Sequence, residues 1–422
     1  MKRDKISPLV WSGAVLPDGH QGDLAVDERG RIANVSEFDR AALFPTDNCV
    51  DMRGYVLVPR LVEAHVHLDK TLLPGPWHPH REGRTIDERI AAERELLGRP
   101  DVLPLEVRAS ALLERLVANG VTAVRSHVDV SSRLGLSNVE RLLELRERWS
   151  DSVSIQLVAF PQEGLARSPG AGALLAEALR SGCEVVGGID PEEFDRDRAG
   201  QLNFVTALAA EHASRVDIHL HERGEVGAAT IEFLASLVAA VDLGNKVAIS
   251  HAFCLGDLFE ASPHRFAQVA DTLAETGISV VTSLPGGDVR RPPISPLRAR
   301  GVQVVVASDN VRDAWSPFGK ADPLERACLA AYLEGWLNDD DLAGAVTLVS
   351  ANGAQLLGLA APSMSPGATA DFVFVPAATL AEAIVTQPGD RIVVREGRIV
   401  RGSEFLSDRT TDSIDAELPK RI

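Results

Sequence analysis

Six of the 11 histidines stand in four short contexts: His65-Val66-His67, Ser126-His127, His219-Leu220-His221 and Ser250-His251. Each context closes a short apolar run. Residues i and i+2 of a strand share a face, so His65 and His67 can reach a common ion. Imidazole and carboxylate together suit Zn²⁺, Fe²⁺ or Mn²⁺. A lone histidine is usually a hydrogen-bonded core group, and His127 is expected to be one. Six histidines gathered at strand ends point to a metal centre instead. Acid–base and polar groups stand in similar positions: Asp69-Lys70, Pro161-Gln162, Ile189-Asp190, Glu222 and Ser308-Asp309-Asn310. A divalent ion lowers the pKa of bound water from ~15.7 toward ~7 and so provides hydroxide at neutral pH.

The elements that must position these groups follow from the apolar pattern. Short apolar runs occur at 55–67, 121–124, 153–160, 184–189, 216–220, 246–249, 278–281 and 302–307. Helical periodicity lies between most of them, as at 105–118, 139–149 and 228–241. Strands alternating with helices imply a parallel sheet, and eight such units imply an α/β fold closed into a (β/α)₈ TIM-type barrel. Active sites of such barrels form at the C-terminal strand ends, where the polar groups lie. The two chain ends read differently. Residues 23–35 form a hairpin pattern around Glu28-Arg29-Gly30, and 371–375 and 391–400 give strands around a second glycine turn. A small β-sandwich built from both termini is expected. The boundaries are 1–57 and 364–422 for its two parts and 58–363 for the barrel.

With these motifs in order, the sequence resembles the amidohydrolase superfamily. The segment from Val62 to Lys70, the His219-Leu220-His221-Glu222 run, Ser250-His251 and Ser308-Asp309 carry the likeness. Arg125-Ser126-His127-Val128-Asp129 and the segment from Leu157 to Gly164 look like cytosine deaminase motifs. His67 to Lys70, Val186 to Pro191, Ser250 to Cys254 and Ser308 to Trp315 resemble a triazine aminohydrolase of the same branch. The resemblance implies metal ligands at His65, His67, His219 and Asp309. It implies catalytic roles for three residues: Glu222 as proton shuttle, His251 beside the reacting water and Asp309 as acceptor of its proton. Gln162 matches a glutamine that reads the ring amide. Dinuclear members bridge two ions through a lysine near the fourth strand. No lysine occurs here between Lys70 and Lys246, so one divalent ion per chain is expected, Zn²⁺ or Fe²⁺, with Mn²⁺ also suitable.

Departures from the cytosine deaminase pattern cluster at strand ends: Lys70, Asp190, Leu220-His221 and Asn310. These residues, with Gln162 and Trp315, are the candidates for contacting substrate. Lys70 and Asp190 are expected either to pair or to face opposite edges of the ring. Near the first barrel strand, Pro59-Arg60 stands where the superfamily commonly has Pro-Gly.

The expected activity is a mononuclear aminohydrolase or deaminase acting on a non-peptide C–N bond of a small pyrimidine- or triazine-like heterocycle. A ring-opening cyclic-amide hydrolase is the alternative. A net charge of −17 speaks against nucleic acid as a partner. The four cysteines form no CxxC pair, and no run of ~20 apolar residues could span a bilayer. The chain is expected in the cytoplasm, with no membrane partner. A homo-oligomer is compatible with this reading.

Overall fold

The computed structural model describes residues 7–38, 49–81 and 83–406. Five strands come first: β1 (Leu9–Val15), β2 (Gln21–Val26), β3 (Ile32–Glu37), β4 (Cys49–Asp51) and β5 (Val56–Pro59). Eight more follow in the body of the chain: β6 (Leu61–Val66), β7 (Val121–Asp129), β8 (Ser154–Phe160), β9 (Val185–Ile189), β10 (Arg215–Leu220), β11 (Val247–His251), β12 (Ser279–Thr282) and β13 (Val304–Val306). The last three are β14 (Phe372–Val375), β15 (Ile392–Arg395) and β16 (Arg398–Arg401).

Strands β6 to β13 are neighbours in sequence order, and every pair is parallel. A parallel bridge from Val66 to Asp309 joins the two ends, with the Asp309 amide donating to the His65 carbonyl at 2.8 Å. The result is a nearly closed eight-stranded barrel. Strands β7 and β9 are buried along their whole length, as a parallel sheet covered on both faces requires.

Both chain ends build a second, mixed sheet, ordered β16-β15-β14-β5-β1-β2-β3 with β4 on β1. Trp11, Leu24, Ile32, Phe372 and Phe374 fill its own apolar cluster. The two expected glycine turns meet there. Gly30 and Gly397 both have positive φ, and a Cβ on Gly397 would lie 2.5 Å from the Gly30 Cα, an approach only glycine permits. The apolar run 55–67 divides between the sheets: β5 pairs with β14, and β6 enters the barrel. Arg60 occupies the crossing, its guanidinium 3.4 Å from Asp371.

Helices lie between the strands. Helix α1 (Ile86–Leu97) and helix α2 (Leu105–Ala118) both fall between β6 and β7. Helix α2 has the amphipathic pattern of a barrel helix, with Leu105, Ala109, Leu112, Leu113 and Leu116 buried. Helix α1 buries only Ile90 and Glu93 along its length. Ile90 joins Phe160, Ile189 and Phe194 in a small cluster at the barrel mouth. No helix among the described residues is long and apolar enough to cross a membrane.

Candidate active site

The C-terminal ends of β6, β10, β11 and β13 converge on one point. The coordinating atoms of His65, His219, His251 and Asp309 all lie within 4.8 Å of one another, as do those of His65, His67, His127 and His219. The Asp309 carboxylate approaches His67 Nε2 at 3.2 Å and His65 Nε2 at 3.4 Å. All four candidate ligands therefore surround one small volume, and His251 faces it as well.

These side chains suit a cation. His65 Nε2, His67 Nδ1, His251 Nε2 and both nitrogens of His219 are buried without a hydrogen-bond partner. Leaving a buried polar atom unpaired costs ~1–3 kcal/mol, and a bound cation would satisfy these nitrogens. Burial holds His67, His219 and His251 well below the ordinary imidazole range and hence neutral, the form that binds metal. Burial pulls the Asp309 carboxyl upward, but contacts with His65 and His67 outweigh it and keep it ionised.

The tautomer of His65 is set from below. Ser250 Oγ donates to Asp217 Oδ1 at 2.7 Å, and its oxygen lies 2.8 Å from His65 Nδ1. With the hydroxyl proton committed to Asp217, His65 Nδ1 must donate, which leaves its Nε2 lone pair facing the cluster. Asp217 is fully buried, yet contacts with His127 and Arg125 hold its carboxyl far below the usual range. Arg125 donates to Asp217 at 3.0 Å and to the Leu356 carbonyl at 2.8 Å. Arg125, Asp217 and Ser250 are thus supports that their sequence context did not reveal. Their signal was a charged pair inside otherwise apolar strands. His127 departs from expectation: neither ring nitrogen has a hydrogen-bond partner, and Asp217 lies 3.6 Å away.

Glu222 follows His219 by three residues and is fully buried. One oxygen accepts from the Glu192 and Glu193 amides at 2.6 and 3.1 Å, and the other from Thr230 at 2.5 Å. Burial raises its pKa, and these bonds partly oppose the rise. His221 Nδ1 lies 2.7 Å from Asp190, whose other oxygen accepts from the His221 and Glu222 amides. Burial opposes a charge on His221, but Asp190 overrides it and raises the imidazole pKa. Asp190, His221 and Glu222 line a cavity of about 560 Å³ together with Phe194 and Arg167, room enough for a small heterocycle.

The remaining candidates gather elsewhere. Lys70 and Asp190 neither pair nor share a partner. The Lys70 ammonium lies 3.6 Å from Glu93 on α1 and over the Trp315 ring at 5.0 Å. Gln162 Nε2 donates to Glu93 at 3.1 Å, and the Trp315 indole N–H donates to the same carboxylate. Asn310 is tied to Asp313 at 2.7 Å. Glu93 went unnoticed in the sequence because α1 has no clear apolar stripe and the residue is a single acid among many on an acidic chain.

A cluster of histidines and one aspartate at the C-terminal ends of a parallel barrel is the site of a hydrolase that a metal ion would complete. The sequence matches the Amidohydrolase family over residues 48–401, and the chain belongs to that family. It is similar to N-isopropylammelide isopropyl amidohydrolase of Pseudomonas sp. strain ADP, at 29% identity over 85% of this chain and 89% of the relative. The crystal structure of N-isopropylammelide isopropylaminohydrolase from Burkholderia multivorans superposes with a TM-score of 0.86 at 36% identity, covering 94% of this chain and 98% of that one. The 5-methylcytosine deaminase of Klebsiella pneumoniae, crystallised with 5-fluorocytosine, gives a TM-score of 0.81 at 25% identity over 93% and 97% of the two chains. The expected superfamily and its cytosine deaminase-like branch agree with these likenesses.

Proposed function

We propose that the protein is a mononuclear metal-dependent aminohydrolase that releases ammonia or an alkylamine from a small pyrimidine- or triazine-like ring. The observation that carries this reading is the convergence of His65, His67, His219 and Asp309 at the barrel's strand ends. The relatives support the substrate class: those named above act, by name, on N-isopropylammelide or 5-methylcytosine. A single ion is favoured because the chain has no lysine between Lys70 and Lys246 that could bridge two ions.

His65, His67, His219 and Asp309 would hold the ion, with Zn²⁺, Fe²⁺ and Mn²⁺ all compatible with a three-imidazole, one-carboxylate set. Such an ion supplies Lewis acidity and lowers the pKa of water from ~15.7 toward ~7. The protein's own groups manage the protons. Asp309, ionised and beside the histidines, accepts the proton of the attacking water. Glu222 gives its proton to a ring nitrogen, takes up the proton of the added hydroxyl and passes it to the departing amine, and the proton held by Asp309 then restores it. His251 Nε2, buried and unpartnered, can hydrogen-bond the oxygen added at the reacting carbon.

An ammonia- and amine-release screen over aminopyrimidines, aminotriazines and cyclic ureas, with Zn²⁺- and Fe²⁺-loaded protein in parallel, tests the proposal. Amine release with the ring intact is the expected result. A ring-opened product without amine release would replace this reading with a cyclic-amide hydrolase.

A further inference from the structure

Three of the side chains expected to recognise substrate come from distant parts of the chain, yet all touch one carboxylate. Lys70 follows β6, Gln162 follows β8, and Trp315 follows β13. Glu93 receives all three: Gln162 Nε2 on one oxygen, and the Trp315 N–H and Lys70 ammonium on the other. Glu93 and Gln162 are 5% and 1% exposed, so water does not share these bonds.

The chemistry of the acceptor fixes the orientation of the amide. An ionised carboxylate only accepts hydrogen bonds, so Gln162 must turn its NH₂ toward Glu93. Its carbonyl Oε1 then points away from Glu93, and it is buried without a partner. An unpartnered buried acceptor calls for a donor from a ligand. Lys70, held by the same carboxylate, is a donor only. The two groups together offer one acceptor and one donor.

We propose that Glu93, carried over the barrel mouth by α1, is a positioning residue that sets substrate specificity: it orients Gln162 and Lys70 so that their free groups match a ring N–H beside a ring carbonyl. The inference rests on the aminohydrolase reading above and deepens it. It takes the ring-amide contact of Gln162 from that reading and assigns its orientation to a residue on a helix outside the strand-end motifs. Ring systems with a bare or alkylated nitrogen at that position would leave Gln162 Oε1 unpaired, and a site built to hydrogen-bond a ring group can reject analogues lacking it by ~10⁴-fold.

Glu93→Gln tests this directly. The variant retains one acceptor oxygen for three donors, so Gln162 is released to turn its NH₂ toward the pocket. Wild type, Glu93→Gln and the exchange Glu93→Gln/Gln162→Glu are compared on N-isopropylammelide and 5-methylcytosine, each with its ring-N-methylated lactam analogue. The readouts are kcat, KM and the shift in melting temperature on adding each compound. Glu93→Gln is expected to lose ~10²-fold in kcat/KM for the N–H compound, chiefly through KM, and to narrow the ratio of N–H to N-methyl compound by the same factor. The exchange variant, which again presents an acceptor from position 162, should recover that ratio. A variant that merely folds less well would lower kcat for all compounds and leave the ratio intact. An unchanged ratio with an active wild type overturns the role of Glu93 and leaves the aminohydrolase reading standing. A wild type that neither turns over nor is stabilised by any of the compounds overturns both.

Discussion

The floor of the site and its recognition wall solve opposite electrostatic problems. The floor gathers buried imidazoles and one carboxylate around one point, and their unpartnered nitrogens are the groups a bound ion would satisfy. The wall places one ammonium, Lys70, among Glu93, Asp69, Asp129 and Asp313. Burial works against the Lys70 charge, but those carboxylates outweigh it and raise its pKa. Four acids crowd around one base, with Arg108 and Arg94 acting on Asp69 and Asp129 from farther off. Burial and neighbouring acids push Asp129 up to about 7, and burial does the same to Asp313. The floor is borne on strand ends fixed by barrel register. The wall is assembled from α1 and the segments beyond the strands, so it can change between relatives without disturbing the ligands.

The largest expected effect breaks the floor. His67→Ala, or removal of the ion by a chelator, should lower activity by ~10³-fold or more, because a bound ion contributes several kcal/mol to the transition state. Elemental analysis beside the activity assay checks it; full turnover without a bound ion would remove the floor from the chemistry. Next comes Glu222→Gln. The amide can still accept from the Glu192 and Glu193 amides, yet it cannot shuttle a proton. A loss of ~10²–10⁴-fold in kcat with metal content unchanged is expected. Wild-type kcat in that variant would reduce Glu222 to an anchor of the 190–194 turn.

A smaller effect separates the two carboxylates that each hold a basic group. Both carboxylates have their oxygens taken by protein donors, but among the partners of Glu93 the Gln162 Oε1 is left without a hydrogen bond. Asp190→Asn weakens three bonds, two of them from His221 and one from the Glu222 amide, and should cost ~1–3 kcal/mol of stability. It should lower kcat/KM roughly tenfold across all substrates and leave their ranking unchanged. Glu93→Gln should do the reverse. A changed ranking in Asp190→Asn would return that residue to the recognition surface.

What the sequence disclosed follows the same division. The eight barrel strands, and the helices at 105–118, 139–149 and 228–241, have counterparts close to those bounds, because burial on both faces and helical periodicity leave strong patterns. His65 and His67 were legible because a two-residue spacing is a geometric statement about one strand. Contacts between segments were not. No local pattern states that Lys70 meets Glu93 rather than Asp190, or that Asp217 reaches Ser250 on the neighbouring strand. The split of 55–67 at Arg60 was equally hidden, since both halves are apolar and only pairing with β14 tells them apart.

The smallest expected effect concerns charge in the wall. Asp129 Oδ1 is buried without a partner, and the carboxyl stands at about 7 against an ordinary 3.8. A carboxyl raised in the folded state binds its proton more tightly there than in the unfolded chain. Stability from this group is therefore highest below pH ~4, falls as pH rises toward 7, and carries its full penalty above that. The penalty is a few kcal/mol at most, because Lys70 recovers part of it. Asp129→Asn does not titrate and keeps the side chain's shape. Its melting temperature relative to wild type should therefore rise between pH 5 and pH 8, by a few degrees at most for a chain of this size. The measurement is a pair of melting curves across that range, taken with the metal loaded and with the metal removed. A difference that stays flat would mean Asp129 is ionised throughout and that Lys70 neutralises the wall more completely than four carboxylates suggest. A difference that rises only in the metal-free protein would show that the floor and the wall are coupled through the bound ion, and their separation would then hold for the geometry alone.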